Sequence, residues 1–310
     1  MDLLYAMQNL REMINPSITA FFMVVSDAMI YVIPAAVLIT YWCIDKEYGK
    51  KLCTEILYGY WINGIAKLSA CIYRPWIRDP RLHVFPEAEA TATGYSFPSA
   101  HTTVTAIGFF NLAERTAKKA LKAVCIIIVI LVMISRMWLG CHSLADVTVG
   151  LIIGIFMMLA VRLFNKNLGG NPKKELYLFA GSLVLAILSV IFIETKQYPM
   201  DYDAAGKLVV DPDAMKPDTY SGIAMIMAWP LGLIVEKKHV GFTTEGSLKT
   251  RIIRFIVGAL LFVVLFKGIK LILGGCDPRL INFVRFFVSV MFAACLYPWL
   301  VMKWRKRKNA

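Results

Sequence analysis

Long apolar runs alternate with short polar connections along almost the whole chain. A run of about 20 apolar residues is long enough to cross a bilayer as a helix. Nine runs approach that length, the third and seventh being shorter and more polar than the others: residues 20–43, 53–73, 100–114, 120–139, 143–164, 175–194, 220–236, 252–273 and 281–302. The pattern predicts an all-α, polytopic helical membrane protein with about nine transmembrane helices.

The composition favours a membrane protein over a soluble one. Hydrophobic residues make up 58% and charged residues 18% of the 310 positions, whereas charged residues make up about 25% of a soluble domain. The seven cysteines lie mostly inside apolar runs, and no pair has metal-ligand spacing. We therefore expect small buried thiols and no metal site.

The first 19 residues precede the apolar runs and mix charged with apolar side chains. Leu3, Leu4, Met7 and Leu10 fall on one side of a helix. The stretch lacks the basic, apolar and small-residue order of a cleavable signal peptide. We expect an amphipathic helix on the membrane surface.

The net charge of +13 is distributed unevenly between the connections. Basic side chains concentrate in every second connection: Lys46, Lys50 and Lys51; Arg115, Lys118, Lys119 and Lys122; Arg162, Lys166, Lys173 and Lys174; Lys237, Lys238, Lys249, Arg251 and Arg254; Lys303, Arg305, Lys306, Arg307 and Lys308. Positively charged connections face the cytoplasm. This rule puts the N-terminus outside and the C-terminus inside. Because the basic side chains cluster in alternate connections, as membrane topology requires, no nucleic-acid partner is expected.

Two of the remaining connections are acidic and are expected on the outer face. Residues 75–97 carry Asp79, Glu87 and Glu89, and residues 195–219 carry five aspartates against three lysines. We expect the second of them to be a solvated acidic loop.

Two cations stand at the outer end of the second run, in Lys67-x6-Arg74-Pro75. Seven residues make nearly two helical turns, so both side chains point the same way, and Pro75 ends the helix. Two cations on one side near a bilayer need an anion, since a charge at that depth is costly.

A polar tetrapeptide opens the third run, Pro98-Ser99-Ala100-His101. Ser99 is a suitable N-cap for the helix that follows. The free N–H groups and positive dipole end of that helix suit a phosphate oxygen. His101 would lie within the first turn, against the bound group.

A third motif joins the fourth and fifth runs, Ser135-Arg136-x5-His142-x3-Asp146. His142 and Asp146 are four residues apart on a helix and can touch. A carboxylate on one ring nitrogen fixes the tautomer and leaves the other nitrogen as a nucleophile. Arg136 offers a planar fork to phosphate oxygens.

Each motif alone has an ordinary explanation. Lys67 can be an interfacial lysine that reaches toward water, Ser99 a simple helix cap, and His142 with Asp146 a structural pair. Together they supply three cations, a hydroxyl, two histidines and one carboxylate, all near ends of apolar runs on the predicted outer face. That combination favours a phosphate-handling site.

The three motifs, in this order, resemble the signature of the phosphatidic acid phosphatase type 2 superfamily: Lys-x6-Arg-Pro, Pro-Ser-Gly-His and Ser-Arg-x5-His-x3-Asp. The superfamily includes lipid phosphate phosphatases, glucose-6-phosphatase and vanadium haloperoxidases. The one departure is Ala100, which stands where the family usually has Gly and restricts the backbone beside the phosphate. With about nine spans, the run from Ser135 to Asp146 is most similar to the sphingosine-1-phosphate phosphatase branch and its bacterial relatives.

The resemblance implies a role for each matched residue. His142 attacks phosphorus and forms a phosphohistidine, Asp146 orients it, and His101 protonates the leaving oxygen and then activates water. The phosphate is held by Lys67, Arg74, Arg136, Ser99 and Ala100. Such a site needs neither a metal nor another cofactor, because phosphoryl transfer depends mainly on positioning and charge stabilisation.

The resulting hypothesis is a membrane enzyme that removes phosphate from a lipid phosphate or pyrophosphate at the extracytoplasmic face. We expect an integral protein of a bacterial cytoplasmic membrane, with a lipid phosphate and the bilayer as partners. Residues 1–19 would be the amphipathic segment, 20–165 the catalytic membrane core, and 166–310 additional helices and a basic tail. Two alternatives remain: an enzyme acting on a soluble phosphate ester, or a lipid-phosphate transporter or binding protein without catalysis.

Overall fold

A computed structural model describes residues 1–90, 92, 94–203 and 205–309, with side chains as far as Lys306. The side chains of Arg307 and Lys308, in the predicted basic tail, lie outside the described part. Throughout the described ranges the chain is helical and forms no β-strand, which confirms the predicted all-α class. In chain order the helices are α1 (Asp2–Met13), α2 (Pro16–Ile39), α3 (Lys46–Ala70), α4 (Pro75–Arg78), α5 (Pro86–Glu89), α6 (Ala100–Arg115), α7 (Lys119–Trp138), α8 (Leu144–Leu168), α9 (Lys174–Thr195), α10 (Pro212–Val235), α11 (Leu248–Ile272), α12 (Pro278–Met291) and α13 (Tyr297–Asn309). Three π-helical turns extend α2, α10 and α12: Thr40–Ile44, Glu236–Val240 and Phe292–Leu296.

Every predicted span coincides with a helix, but the predicted number of about nine is not exact. Within the described residues, 7 helical stretches are long and apolar enough to cross a membrane: Pro16–Ile44, Lys119–Trp138, Leu144–Leu168, Lys174–Thr195, Pro212–Val240, Leu248–Ile272 and Pro278–Lys306. The two exceptions are α3 and α6. α3 has 25 residues but carries six charged side chains along its length. α6 has 16 residues, about 24 Å of helix against a hydrocarbon core of about 30 Å.

The chain divides into two compact units, and the residues of all three motifs lie in the first. Unit 1 comprises Met1–Ile33, Ile62–Leu159 and Lys196–Met215, and unit 2 comprises Pro34–Trp61, Ala160–Thr195 and Lys216–Ala310.

Close helix packing in unit 1 depends on a glycine. A Cβ atom added to Gly150 of α8 would lie 2.5 Å from the carbonyl oxygen of Ser99, so only glycine lets α8 come this near to the start of α6. Thr103 Oγ1 donates to the Gly150 carbonyl at 2.9 Å, and Asn63 Nδ2 donates to Thr103 Oγ1 at 3.1 Å. These contacts tie α3, α6 and α8 together at the level of the second motif.

The predicted N-terminal helix is present as α1 and packs onto unit 1. Its Leu4 is buried against Leu82, Met137 and Val147. Arg11 donates from Nη1 to the Trp138 carbonyl at 2.9 Å, which satisfies one of the free carbonyls at the end of α7.

In unit 2, side chains satisfy the carbonyls of a π-helical turn. Tyr41 Oη donates to the Ala294 carbonyl at 2.8 Å, and Trp42 Nε1 donates to the Ala293 carbonyl at 2.9 Å. All seven cysteines are free thiols, and five of them are buried, as the sequence predicts: Cys43, Cys53, Cys125, Cys141 and Cys295.

Candidate active site

His142 and Asp146 lie side by side, each only 2% exposed. His142 Nδ1 lies 3.5 Å from Asp146 Oδ2, as their four-residue spacing predicts. On the other side of the ring, Arg74 Nη1 lies 3.1 Å from His142 Nε2. A guanidinium can only donate hydrogen bonds, so Nε2 is the acceptor and Nδ1 carries the proton toward the carboxylate. The lone pair of His142 is therefore on Nε2, beside Arg74.

A tight turn after α7 places His142. The amides of Cys141 and His142 both donate to the Arg136 carbonyl, at 3.0 and 3.2 Å. Gly140 takes a positive φ of 76°, and a Cβ there would lie 2.9 Å from the His83 carbonyl oxygen. Glycine is needed both for the backbone conformation and for this close approach. The third motif is thus held against the loop that precedes α5.

Backbone carbonyls surround the buried guanidinium of Arg74. Its Nε donates to the Gly94 carbonyl at 3.1 Å, and its Nη1 also donates to the Cys141 carbonyl at 2.9 Å. Arg74 is 4% exposed. Arg74 therefore bridges the loop of residue 94 to the loop that carries His142. The prediction that Lys67 and Arg74 share one helix ended by Pro75 is wrong: α3 ends at Ala70, and the extended Arg74 caps the short helix α4, which Pro75 begins.

Lys67 is anchored in a similar way. Its Nζ donates to the Tyr95 carbonyl at 3.1 Å and to the Ser96 carbonyl at 3.3 Å. Lys67 and Arg74, the two cations of the first motif, thus share one short segment, residues 94–96, as a source of hydrogen-bond acceptors.

The second motif forms a helix start, as its sequence predicts. Ser99 is the N-cap of α6, and its hydroxyl accepts from the Thr102 amide. The Ser99 amide donates to the Asp146 carbonyl at 3.0 Å. This bond joins the second motif to the third. Ala100 opens the first turn, whose N–H groups have no partner within the helix and can face an anion.

Two buried nitrogens of the motifs have no hydrogen-bond partner among the described residues. They are Nε2 of His101 and Nε of Arg136. Arg136 is 1% exposed, and its Nη1 donates to Ser26 Oγ on α2 at 2.7 Å. Buried donors are normally satisfied, so these two nitrogens fit a site built to receive another polar group.

The charges of the site act together on His142. Burial lowers the pKa of His142 well below its usual range, and the positive charges of Arg74, Arg136 and Lys67 lower it further. Its ring is therefore neutral at pH 7. Burial also lowers the pKa of Arg74 to about 10, so its guanidinium keeps its charge at pH 7. A neutral histidine among three cations can attack an anion that those cations hold.

Ser96 and Ser26 are residues that the motifs did not identify. Ser96 Oγ donates to Asp146 Oδ2 and lies 3.4 Å from His142 Nδ1. Ser26 and Asp27 form a polar pair inside the first apolar run, and polar residues in such runs mark functional sites. That signal could have pointed to Ser26. Ser96 lies in a loop without periodicity, so no comparable signal exists for it.

Among the residues that the structure describes, no three His, Cys, Asp or Glu side chains are grouped so that they could hold a metal ion. The three motifs instead bring Lys67, Arg74 and Arg136 close enough for their charges to act on His142 together.

The chain matches two family models. Residues 49–169, which contain all three motifs, match the PAP2 superfamily, and residues 220–309 match the PAP2 superfamily phosphatase transmembrane extension. No curated protein sequence and no solved structure matches the chain. The two matched ranges together cover more than half of the 310 residues. With its motifs assembled in one unit and its apolar helices, the chain belongs to the PAP2 superfamily as an integral membrane phosphatase.

Proposed function

We propose that this protein removes a phosphoryl group from a lipid phosphate or pyrophosphate through a phosphohistidine on His142. The observation that carries the proposal is the arrangement around that ring. Asp146 lies against Nδ1, and Arg74 lies against the lone pair of Nε2. The ring is thus oriented, neutral and adjacent to the cations that would hold the phosphate.

In the first step, Nε2 of His142 attacks phosphorus and the bond to the leaving oxygen breaks. His101, which takes up a proton as the phosphate anion binds beside it, donates that proton to the leaving oxygen, and Asp146 stabilises the positive charge that develops on the His142 ring. Arg74 Nη1, which contacts Nε2 in the structure, turns to a phosphate oxygen. Lys67, Arg136 and the first turn of α6 bind the remaining charge as it builds on the equatorial oxygens.

In the second step, water attacks the phosphohistidine. His101, now neutral, accepts the proton from that water, the phosphorus–nitrogen bond breaks, and inorganic phosphate leaves. One histidine thus serves as acid and then as base, so the enzyme returns to its starting protonation state after each turnover.

The lipid substrate is supported by where the motifs stand on their helices. Arg136 lies near the end of α7, and His142 lies two residues before α8; both helices are long and apolar enough to cross a membrane. A headgroup can reach such a site while its acyl chains stay in the bilayer. The candidate substrates are phosphatidic acid, phosphatidylglycerol phosphate, a polyprenyl pyrophosphate and a sphingoid phosphate.

The extracytoplasmic face is supported by the basic connections. The loop between α7 and α8 lies between two basic connections, one before α7 and one after α8. Since basic connections stay in the cytoplasm, we place the His142 loop on the opposite side of the membrane.

The test is phosphate release from a panel of lipid phosphates and water-soluble phosphate esters in detergent with EDTA. Wild type and His142→Ala are compared with His239→Ala, an exposed histidine outside the motifs. We expect wild type and His239→Ala to hydrolyse a lipid phosphate in EDTA. The His142→Ala rate should be about a thousandfold lower, as the loss of a nucleophile implies.

Other results would favour the alternatives. Faster turnover of a soluble ester than of any lipid indicates an enzyme with a soluble substrate. Binding of a lipid phosphate without release by wild type indicates a transporter or binding protein. Activity that EDTA removes and a divalent ion restores would contradict the metal-free mechanism.

A further inference from the structure

Residues 196–215, which we name the strap, follow α9 and end inside α10. They lie between the two ranges that match family models, 49–169 and 220–309. The sequence predicts a solvated acidic loop here, and its aspartates are indeed exposed. The same residues nevertheless belong to unit 1, together with the three motifs.

The two ends of the first motif each bond to the strap. Lys196 Nζ donates to the Leu68 carbonyl at 2.7 Å and to the Ser69 carbonyl. These carbonyls end α3 directly after Lys67 and have no partner within the helix. Tyr73, which precedes Arg74, donates from Oη to Asp201 Oδ2 at 2.6 Å. The strap therefore holds the Lys67-to-Arg74 segment near both of its ends.

Met215, at the other end of the strap, packs onto the residues that hold both cations. Its Sδ accepts from the Tyr95 amide at 3.2 Å. A Cβ added to Gly94, whose φ is +66°, would lie 2.3 Å from the same sulfur. Only glycine therefore allows this contact. The carbonyls of Gly94 and Tyr95 accept from Arg74 and Lys67, both at 3.1 Å.

We propose that the strap is a positioning element that sets the affinity of the site for phosphate. Lys67 and Arg74 have long, flexible side chains. The conformational entropy that they would lose on becoming ordered when substrate binds would weaken that binding. Carbonyls held by Met215 order these side chains in advance. The strap does not provide the nucleophile, its carboxylate or the proton donor. Its loss should therefore weaken phosphate binding more than it slows the chemical step.

This proposal rests on the proposed function, since it assigns a role to the phosphate cations of that site. It also places a determinant of affinity outside both matched family ranges. Members of the superfamily could then share the three motifs and differ in how tightly they bind phosphate.

The experiment compares Met215→Ala with Met200→Ala, a methionine of the same strap that is 52% exposed. The Michaelis constant, kcat and the inhibition constant for inorganic phosphate are measured for each. We expect Met215→Ala to raise the Michaelis and inhibition constants about tenfold while kcat changes less than about threefold. Met200→Ala should match wild type. Met215→Leu, which keeps bulk against Gly94, should recover most of the affinity.

A Met215→Ala variant that loses kcat while phosphate inhibition stays at the wild-type value would overturn the proposal. So would Met215→Ala behaving like Met200→Ala. If Met215→Ala fails to fold, Tyr73→Phe takes its place, with the exposed Tyr202→Phe as its control. Tyr73→Phe removes one hydroxyl and should weaken phosphate inhibition; unchanged inhibition would again overturn the proposal.

Failure of the proposed function gives a different pattern. If wild type hydrolyses no phosphate ester, binding of inorganic phosphate is measured directly by calorimetry. Weaker binding by Met215→Ala than by wild type then still supports the strap, and equal binding overturns it. A wild type that binds no phosphate contradicts the strap and the proposed function together.

Discussion

At the residue scale, one carboxylate oxygen controls the orientation of the histidine. Asp146 Oδ2 accepts from Ser96 Oγ and from the Ser143 amide at 2.7 Å, whereas His142 Nδ1 lies 3.5 Å away. Since the histidine contact is the longest, the position of the carboxylate is set by the two other donors. Ser96 is 1% exposed, so water cannot readily replace its hydroxyl.

Ser96→Ala is therefore expected to slow the reaction. A hydrogen bond to a charged group contributes about 1.5–3 kcal/mol, and losing that much transition-state stabilisation lowers kcat about 10- to 150-fold. Steady-state kinetics on the substrate found for wild type measure this. Ser17→Ala, at an exposed serine of α2, is the matched control and should retain full activity. A kcat for Ser96→Ala equal to that of the control would show that Ser143 alone positions Asp146.

The sequence predicted which motif residues come together in this site, but not the groups that hold them in place. His142, Asp146 and the three cations are identifiable because their spacings repeat a helical turn or match a family signature. The groups that hold them are backbone carbonyls of residues 94–96 and hydroxyls of Ser26 and Ser96. Any residue type can provide a carbonyl, and these hydroxyls come from distant segments. No spacing in the chain therefore encodes them.

At the element scale, the start of α6 is placed by its close contact with α8. A Cβ atom added at residue 150 would lie 2.5 Å from the Ser99 carbonyl oxygen and 3.2 Å from the Thr102 Cβ. The first of these atoms is backbone, which cannot rotate aside as a flexible side chain can. A larger residue at position 150 must therefore separate the two helices at the site.

Gly150→Ala should accordingly damage the site and the fold together. Overpacking of this kind costs about 1–3 kcal/mol of stability, and the displaced α6 should weaken phosphate binding as well. Gly181→Ala is the control, because nothing lies within 4 Å of a Cβ there. Thermal unfolding in detergent and the inhibition constant for phosphate are the measurements. Equal unfolding temperatures and inhibition constants for both variants would contradict the role given to Gly150.

Hydropathy predicted the helices well, because a helix that crosses a bilayer must be both long and apolar. It predicted their limits less well: α2 begins at Pro16 and α10 at Pro212, earlier than expected, because polar residues continue both helices beyond the apolar run. The short α6 was predicted as a span because its residues are apolar enough, but at 16 residues it is shorter than each of the 7 described stretches that are long and apolar enough to cross a membrane. The strap was predicted as solvated because its composition is acidic, whereas its contacts depend on single residues such as Met215.

At the scale of the whole molecule, the proposed sidedness counts α3 and α6 as a pair of crossings. Both α3 and α6 lie between α2 and α7 along the chain. The Ser99 amide at the start of α6 donates to the Asp146 carbonyl at the start of α8. The α3–α6 connection therefore lies on the same face as the α7–α8 loop, which requires both α3 and α6 to connect the two faces. With both helices counted as crossings, the positive-inside rule predicts the α7–α8 loop and the α11–α12 loop on the outer face.

Cys276 gives a direct test of this topology. It is exposed and lies in the loop between α11 and α12, whereas the other cysteines are buried or partly buried. A membrane-impermeant thiol reagent added outside intact cells should label wild type and fail to label Cys276→Ser. Labelling that requires permeabilised cells would place this loop in the cytoplasm and contradict the proposed orientation.

The central claim is that His142 carries the phosphoryl group during turnover. The most direct measurement is to mix the purified protein with a radiolabelled lipid phosphate, quench during turnover in alkali, which preserves phosphohistidine, and locate the label by peptide mapping. We predict label on the peptide that contains His142, and none in His142→Ala. Turnover by wild type without label on His142, or label on another residue, would contradict the account.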